Sequence, residues 1–308
     1  LSYNTPLGIA KFAKTLTGDE EVLIFEMGEY YPGDIRDLCS LIDPSMGVIT
    51  GINEAHLAKF KTLDRTVNTI FELGDHLGEQ PLYVNSESQL AADRIEAGYP
   101  YRYSRQGVNG WRVSDVATSL EGTSFTATKD DVVIKARSRL LGLHQVGPLV
   151  AMIDIASALG LSAEQIDQGI AATRPFEHRM QPSRDAGGVV TIDDSYNGNP
   201  DGAKAAIEFL ASLPGRRFYV TPGLVEMGDH NQEVHREIGR ALAKAEIDQV
   251  ILIKNSATPY IAEGLQQASF KGKLTWYDDP LKCFAALPSM TVAGDVVLIQ
   301  NDWTDNYA

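Results

Sequence analysis

The chain alternates short apolar runs with amphipathic stretches, which is the pattern of an α/β fold. Two early runs, Val22 to Met27 and Gly47 to Ile52, have the length and composition of buried strands. Between them, a stretch that opens with Pro32 and Asp34 has helical spacing. The next stretches predict a helix at 62–77, a short strand at 82–84 and a helix at 86–97 capped by Ser86.

Between residues 99 and 137 the pattern changes to short alternating runs separated by Gly or Asp. Alternation with a period of two predicts strands that bury only one face, so this segment is expected to form an antiparallel insertion or sheet edge. Two helices are predicted after it, at 146–159 and 162–173. The second has a capping box, formed by Ser162 and Gln165.

Residues 174–188 are rich in charge, Pro and Gly and have no period, which predicts a linker. Beyond them, apolar strands alternate regularly with helices of crossover length, which implies a parallel, doubly wound sheet. We therefore predict two α/β domains. Residues 1–176 should form a mostly parallel sheet with an antiparallel edge, and residues 177–308 a Rossmann-like doubly wound domain.

Composition limits the possible functions. The 308 residues are 44% hydrophobic and 22% charged, which is ordinary for a globular protein. The net charge of -14 argues against a nucleic-acid surface, which needs clustered Lys and Arg. No apolar run reaches the length of a membrane span, and Cys39 and Cys283 are expected to be buried thiols of a reducing compartment. The chain begins with Leu1 rather than Met, so we expect an upstream segment to be missing.

Ligands of open α/β sheets bind beyond the carboxyl ends of the strands, and several predicted strand exits are rich in polar residues. Glu26 ends the first apolar run and His56 follows the second. A carboxylate and an imidazole near phosphate oxygens would suit Mg²⁺ or Mn²⁺. The alternative interpretation is a Glu that caps a helix and a His in a loop. No GxxxxGK[ST] or GxGxxG motif is present.

The stretch DDSYNGNPD, residues 193–201, contains more polar groups than a turn requires. Asn199, Pro200 and Asp201 fit the start of a helix, with Asn199 as its cap. The surplus side chains are Asp193, Asp194, Tyr196 and Asn197. His235, taken alone, fits a packed or solvated histidine, and Arg179 fits either a solvated linker residue or a phosphate clamp.

Together these segments resemble the Mur ligases, the ATP-dependent amide ligases of peptidoglycan assembly, and most of all their MurF branch. The likeness is carried in the family's order by YNTPLG, FEMGEYYPGDI, NEAHLAKF, GLHQVGPLVAMIDIASALG, RPFEHRMQ, DDSYNGNPDGAKAAIEFLASLPG and TPGLVEMGDHNQEVHREIG. It covers nearly the whole chain. It implies a central ATPase domain followed by a Rossmann-like domain.

The resemblance also implies roles for individual residues. It places Glu26 and His56 as catalytic residues that hold Mg²⁺ against the phosphates of ATP. It implies contacts to the nucleotide from Asn4, His144, Gln145, Arg179 and Asp194. It implies contacts to the peptide substrates from Tyr196, Asn197, Asn199, Glu226 and His235.

The family's reaction joins D-Ala-D-Ala to a UDP-muramoyl tripeptide. A carboxylate attacks the γ-phosphate of ATP, and the dipeptide amine then attacks the resulting acyl phosphate. The resemblance therefore implies ATP and Mg²⁺ as cofactors and small molecules as partners, without nucleic acid or a membrane span. We further expect a cytoplasmic monomer.

Three departures from the family pattern qualify this expectation. The chain starts just after the position of the family's phosphate loop and UDP-binding domain, so we expect weak or absent ATP turnover by this chain alone. Ile70 stands where the family has a carbamylated Lys, and QNDWTDN (300–306) replaces a Lys-Gly-Ser-Arg run. Two alternatives stay open: a related ligase with another amine substrate, and a non-catalytic nucleotide- or peptide-binding module.

Overall fold

Residues 1–102 form one unit, in which helices pack against a short parallel sheet. The structure is a computed structural model, and it describes residues 4–300. β1 pairs with β2 in parallel, and α2 and α4 bury their apolar faces with both strands in one core. The elements are α1 Pro6–Ala13, α2 Asp34–Ile42, β1 Gly47–Ile49, α3 Leu57–Phe60, α4 Leu63–Leu77, β2 Leu82–Asn85 and α5 Gln89–Ala92.

The predicted strand at Val22–Met27 is wrong. The segment has no strand structure, and Val22, Leu23 and Ile24 are 52%, 44% and 80% exposed. A strand needs partners for its backbone N–H and C=O groups, and within residues 4–300 β1 pairs only with β2. Glu26 is therefore exposed at the surface and does not end a buried strand, as the sequence had suggested.

The helix predicted at 86–97 is also corrected, since α5 has only four residues and begins after Ser88. Ser86 does not cap it. The hydroxyl of Ser88 is engaged elsewhere, because it accepts from the N–H of Ile52 at 2.9 Å and donates to the Ile52 carbonyl at 3.1 Å. The helices predicted from Asp34 and at 62–77 are confirmed, the latter with Thr62 as its cap.

The second unit begins at Tyr103, and β3 Arg102–Tyr103 lies where the two units meet in sequence. The unit contains an antiparallel sheet of β4 to β7, as predicted for residues 99–137, and a six-stranded sheet. Its elements are β4 Gly107–Val108, β5 Trp111–Ser119, β6 Gly122–Lys129, β7 Val132–Ser138, α6 Val146–Ala158, α7 Ala163–Ala171, β8 Gln181–Arg184, β9 Val190–Asp194, α8 Pro200–Ala211, β10 Arg217–Thr221, α9 Asn231–Lys244, β11 Gln249–Ile253, α10 Thr258–Gln267, β12 Lys273–Tyr277, α11 Pro280–Met290 and β13 Val296–Gln300.

The six-stranded sheet has the order β12-β11-β10-β13-β9-β8. Its strands are parallel except for β8. Alternate side chains of β10, such as Tyr219 and Phe218, enter different cores. The core that contains Tyr219 includes residues of α8, α9 and α10, and the core that contains Phe218 includes Cys283 of α11. Helices thus cover both faces, which confirms the predicted doubly wound sheet.

The linker predicted at 174–188 contains a strand, β8, which pairs antiparallel with β9. Pro182 lies opposite Ile192 in this ladder. An edge strand needs hydrogen bonds on one side only, so it tolerates proline and polar side chains. That is why residues 181–184 gave no strand signal in the sequence.

The chain divides by its internal contacts after Arg102, and the boundary predicted between residues 176 and 177 stays a prediction. In the part of the chain that the structure describes, no helix has both the length and the hydropathy that a bilayer crossing requires. The capping box of Ser162 and Gln165 at the start of α7 is confirmed.

Candidate functional site

A line of hydrogen bonds joins the three adjacent strands β10, β13 and β9 at the carboxyl end of the sheet. The hydroxyl of Tyr219 donates to Oε1 of Gln300 at 2.5 Å, and Nε2 of Gln300 donates to Oδ2 of Asp194 at 2.7 Å. The N–H of Met180 donates to the other carboxylate oxygen, Oδ1, at 3.2 Å. Asp194 is thereby fixed at the strand exit where open α/β sheets bind ligands.

Asp194 is held as a partly buried carboxyl group. Burial raises its pKa above the ordinary value, while the hydrogen bonds from Gln300 and Met180 and the charge of Arg179 oppose that shift. The structure thus brings Arg179 and Asp194, predicted separately from the sequence, into electrostatic contact.

Arg179 also organises the loop that follows β9. Its Nη1 donates to the carbonyl of Asn197 at 3.2 Å, and its guanidinium carbon lies 5.2 Å from the centre of the Tyr196 ring. Tyr196 is 58% exposed, and Asn197 has a left-handed backbone with φ of 51°. Strained backbone of this kind is common where a loop presents ligand contacts. The predicted residues Arg179, Asp194, Tyr196 and Asn197 therefore form one group.

One member of this group was missed by sequence reasoning. Nδ1 of His178 lies 2.7 Å from Oδ2 of Asp193, and this pair raises the pKa of the exposed imidazole. His178 has φ of 59°, so it lies in the left-handed region like Asn197. Its position next to Arg179 in a charged linker gave no sign of a partner 15 residues away.

Asn199 and His235 have structural partners in addition to their predicted substrate roles. Oδ1 of Asn199 accepts from the N–H of Gly202 at 2.9 Å, which confirms it as the cap of α8. His235 is fully buried: its Nε2 accepts from the N–H of Leu224 at 2.9 Å, and its Nδ1 lies 2.6 Å from the carbonyl of Asn231. The imidazole therefore holds the loop that carries Glu226, which itself has φ of 61°.

His144 and Gln145 lie in a short 3₁₀ turn before α6. Nε2 of Gln145 is 2.8 Å from Nε2 of His144, whereas Nδ1 of His144 is buried without a hydrogen-bond partner in the described structure. Burial, aided by the charge of Arg105, lowers the pKa of His144 to about 4. The ring is therefore neutral at physiological pH, and one of its two hydrogen-bonding positions, Nδ1, is left unused in the described structure.

In the first unit, Glu26 and His56 were predicted to hold the metal ion, and Asn4 was predicted to contact the nucleotide. The carbonyl of Asn4 accepts from the N–H of Gly28 at 2.9 Å, which fixes Asn4 beside the Glu26 segment. His56 has φ of 58° and its ring centre is 5.0 Å from that of Tyr30. The ammonium of Lys59 lies 3.9 Å from the same tyrosine ring. The roles of Asn4, Glu26 and His56 stay predictions.

Glu29, which the sequence did not single out, lies near both predicted metal ligands. Burial raises the pKa of Glu29, the neighbouring imidazole of His56 opposes this rise, and Glu26 adds to it. Glu29 lines a cavity of about 170 Å³ together with Ile70, the residue at the predicted carbamylated-Lys position. The remaining walls include Phe25, Met27 and Leu73.

Glu26 and His56 offer at most one carboxylate and one imidazole to the predicted cation. Among residues 4–300 no group of three His, Cys, Asp or Glu side chains is placed to enclose a metal ion. A Mg²⁺ ion held by Glu26 and His56 would thus depend on water and phosphate oxygens for its other ligands, which is usual for Mg²⁺ in nucleotide sites.

Family comparisons cover both parts of the chain. The Mur ligase middle domain matches residues 1–156, and the Mur ligase glutamate ligase domain matches residues 178–300. The chain belongs to the Mur ligase family. Its residues 193–201, which hold Asp194 and Asn197, lie inside the second of these domains.

Curated relatives of this Mur ligase include the UDP-N-acetylmuramoyl-tripeptide–D-alanyl-D-alanine ligases of Bacillus subtilis and Mycobacterium tuberculosis. The Bacillus protein is 24% identical over 301 residues, which are 97% of this chain and 65% of the relative. The Mycobacterium protein is 28% identical over 263 residues, which are 82% of this chain and 52% of the relative. The chain therefore spans between half and two thirds of the length of these relatives.

Solved structures support the fold of this Mur ligase. MurF from Acinetobacter baumannii superposes with a TM-score of 0.82 at 21% identity, over 98% of this chain and 66% of that chain. MurF from Thermotoga maritima in complex with ADP superposes with a TM-score of 0.75 at 24% identity, over 92% of this chain and 64% of that one. At this level of identity the likeness confirms the predicted α/β fold.

Part of the predicted site lies outside the described residues 4–300. Of the run 300–306 that departs from the family pattern, only Gln300 lies within the described residues, and Tyr3 of the YNTPLG segment lies outside them. Gln300 is the residue that sequence reasoning missed most clearly. It was noted only as part of a departure from a motif, yet it contacts Asp194 directly.

Proposed function

We propose that this Mur ligase family member takes part in ATP-dependent amide bond formation in peptidoglycan precursor synthesis. In the proposed reaction, D-Ala-D-Ala is joined to a UDP-muramoyl tripeptide, as the names of the relatives state for those proteins. We further propose that the protein acts as a monomer in the cytoplasm.

The observation that carries the proposal is the grouping of Arg179, Asp194, Tyr196 and Asn197 at the carboxyl end of β9. A guanidinium can pair with phosphate oxygens, and a fixed carboxylate can accept hydrogen bonds from ribose hydroxyls. We assign Arg179 and Asp194 to the nucleotide. Tyr196 and Asn197 are exposed on the adjoining loop, and we assign them to the peptide substrates.

Other residues complete the proposed assignment. The neutral ring of His144, with Gln145, suits a nucleobase, since Nδ1 is buried without a partner in the described structure. Asn4 is assigned to the nucleotide, and Asn199 and Glu226 to the peptide substrates. His235 is assigned a supporting role, because both of its ring nitrogens are occupied by backbone groups.

Glu26 and His56 are the residues that would hold Mg²⁺ or Mn²⁺. Such an ion, when bound, neutralises negative charge on phosphate oxygens during phosphoryl transfer. The chain's own contribution there is one carboxylate and one imidazole, with the carboxyl group of Glu29 nearby.

The test measures phosphate and ADP release from ATP in the presence of Mg²⁺, UDP-muramoyl tripeptide and D-Ala-D-Ala. Release that requires both the tripeptide and the dipeptide, however slow, is the expected result. Arg179→Ala and Asp194→Asn should abolish it, whereas Arg184→Ala, a change in the exposed edge strand β8, should not.

The two alternatives give different results in the same experiment. Release that depends on another amino acid or peptide, with no response to D-Ala-D-Ala, would assign the protein to a ligase with a different amine substrate. Binding of ADP by calorimetry that neither the tripeptide nor D-Ala-D-Ala changes, without release under any of these conditions, would support a non-catalytic nucleotide-binding module.

A further inference from the structure

The hydrogen-bonded line Tyr219–Gln300–Asp194 has a direction that the chemistry of its members fixes. An ionised carboxylate only accepts hydrogen bonds, so the amide of Gln300 must turn its NH₂ group toward Asp194. Its carbonyl oxygen then faces Tyr219, whose hydroxyl must donate to it. Tyr219 is 1% exposed and Gln300 is 1% exposed, so water cannot replace either partner at low cost.

We propose that Gln300, oriented by Tyr219, is the positioning residue that sets the direction and the charge state of the Asp194 carboxylate. The residue belongs to the segment that departs from the family pattern, and no role follows for it from that pattern. Position supports the assignment: Gln300 lies directly opposite Asp194 in the parallel ladder of β13 and β9.

The surroundings of Asp194 explain why one amide can matter. Arg179 is the cation that faces it, Asp193 adds a negative charge, and Tyr219 is the buried phenol behind Gln300. The charge of Asp193 is partly taken up by His178, with which it pairs. Burial and the charge of Asp193 favour the protonated form of Asp194, and the charge of Arg179 opposes them. The hydrogen bonds from Gln300 and Met180 add to the effect of Arg179 and favour the ionised form.

The inference rests on the proposed function where it concerns nucleotide binding, since Asp194 is assigned there to the nucleotide. A carboxylate can accept two ribose hydroxyls only if its oxygens point at them. Gln300 and Met180 each donate to one oxygen of the carboxylate, and each oxygen keeps a second lone pair that can accept another hydrogen bond. Loss of the amide should free the carboxylate to rotate and should raise its affinity for a proton.

Two measurements test the inference, with Gln300→Met, Tyr219→Phe and Asp194→Asn as variants. The first follows the Asp194 carboxyl carbon by NMR while the pH of the ligand-free protein is changed. We expect Gln300→Met to move its titration to higher pH, with a smaller shift in Tyr219→Phe. The second is calorimetric titration with ADP and Mg²⁺, in which we expect Gln300→Met to weaken binding about tenfold.

A double variant separates positioning from a direct contact. If Gln300 acts through Asp194, Gln300→Met should cost less than about twofold in ADP affinity once Asp194→Asn is present, because coupled residues are not additive. Gln249→Met is the matched control. Gln249 is a buried amide on β11 that bonds Oγ1 of Thr275 at 3.0 Å, and its replacement should leave both readouts unchanged.

The outcomes are distinct. An unchanged Asp194 titration in both Gln300→Met and Tyr219→Phe would overturn the inference, and so would an equal loss of ADP affinity with and without Asp194→Asn. A shifted titration in a protein that does not bind ADP would support the positioning role and refute the proposed nucleotide site.

Discussion

At the scale of single residues, the imidazoles of His144 and His235 show how burial decides the chemistry of a side chain. His235 uses both ring nitrogens for backbone groups, and burial lowers its pKa. His144 has one ring nitrogen near Gln145 and the other buried without a partner in the described structure. The same residue type thus supports a loop in one place and leaves a buried nitrogen without a described partner in the other.

Replacing His235 by leucine should destabilise the protein. His235→Leu would leave the N–H of Leu224 without its partner, and a buried group left unpaired costs about 1–3 kcal/mol. Urea unfolding followed by far-ultraviolet circular dichroism measures the loss. The exposed Lys271 provides the control: Lys271→Gln should change the free energy of unfolding by no more than about 0.5 kcal/mol. Equal effects of the two changes would contradict the structural role of His235.

His144 should make stability depend on pH. Its folded-state pKa is about 4 and its ordinary value is 6.5, so between these values the unfolded chain binds a proton that the folded chain does not. The contribution of neutral His144 to the free energy of unfolding is fully present above pH 6.5. It is lost as the pH falls toward 4, by at most about 1.4 kcal/mol per pH unit. We expect His144→Gln to flatten the slope of unfolding free energy over this range. Identical slopes in the wild type and the variant would rule out the proposed linkage.

At the scale of elements, α9 and α10 approach so closely that two glycines are required at their contact. A Cβ atom on Gly239 would lie 2.1 Å from the carbonyl oxygen of Ile261, and one on Gly264 would lie 2.1 Å from that of Arg236. Backbone atoms of a helix cannot move aside as a flexible side chain can. The two helices would have to separate to admit a methyl group.

The substitution of glycine by alanine should therefore have opposite effects at two helical positions. Gly239→Ala should lower the free energy of unfolding by about 1–3 kcal/mol or more, since it overpacks the contact. Gly169→Ala in α7, where nothing lies within 4 Å of the added atom, should raise stability by about 0.5–1 kcal/mol because alanine favours helix. Chemical denaturation of both variants measures these changes. A neutral Gly239→Ala variant would show that the helix contact is looser than described.

The elements differ in how well the sequence predicted them. α4 followed from apolar spacing, and α7 followed from apolar spacing and from its capping box at Ser162, which are local signals. The apolar run at 22–27 and the strand β8 were mispredicted for the opposite reason. Strand formation depends on a partner strand elsewhere in the chain. The hydrophobicity of a segment does not show whether such a partner is present.

The candidate site shows the same limit. Asp194, Tyr196 and Asn197 stood out because a turn did not need them, and Arg179 stood out by its position in the linker. Gln300 did not stand out, because a glutamine at the end of an apolar strand has no chemistry of its own. Its importance arises from the register that places it opposite Asp194.

At the scale of the whole molecule, the net charge of -14 should make stability respond to salt. Repulsion among excess carboxylates is screened over about 10 Å at 0.1 M ionic strength, so added NaCl should raise the thermal unfolding midpoint. This effect does not depend on the identity of the cation. A specific cation site must therefore be sought as a difference between salts at equal ionic strength.

Magnesium should stabilise the protein beyond this general effect if Glu26 and His56 hold it. With ADP present, MgCl₂ should give a higher unfolding midpoint than NaCl at the same ionic strength, because a ligand that binds only the folded state adds about 1.4 kcal/mol at tenfold excess over its dissociation constant. Glu26→Gln and His56→Gln should each remove the difference. Glu79→Gln, at an exposed position in the same unit, should keep it. If all three variants retained the full magnesium effect, the ion would bind elsewhere, and the assignment of Glu26 and His56 would have to be abandoned.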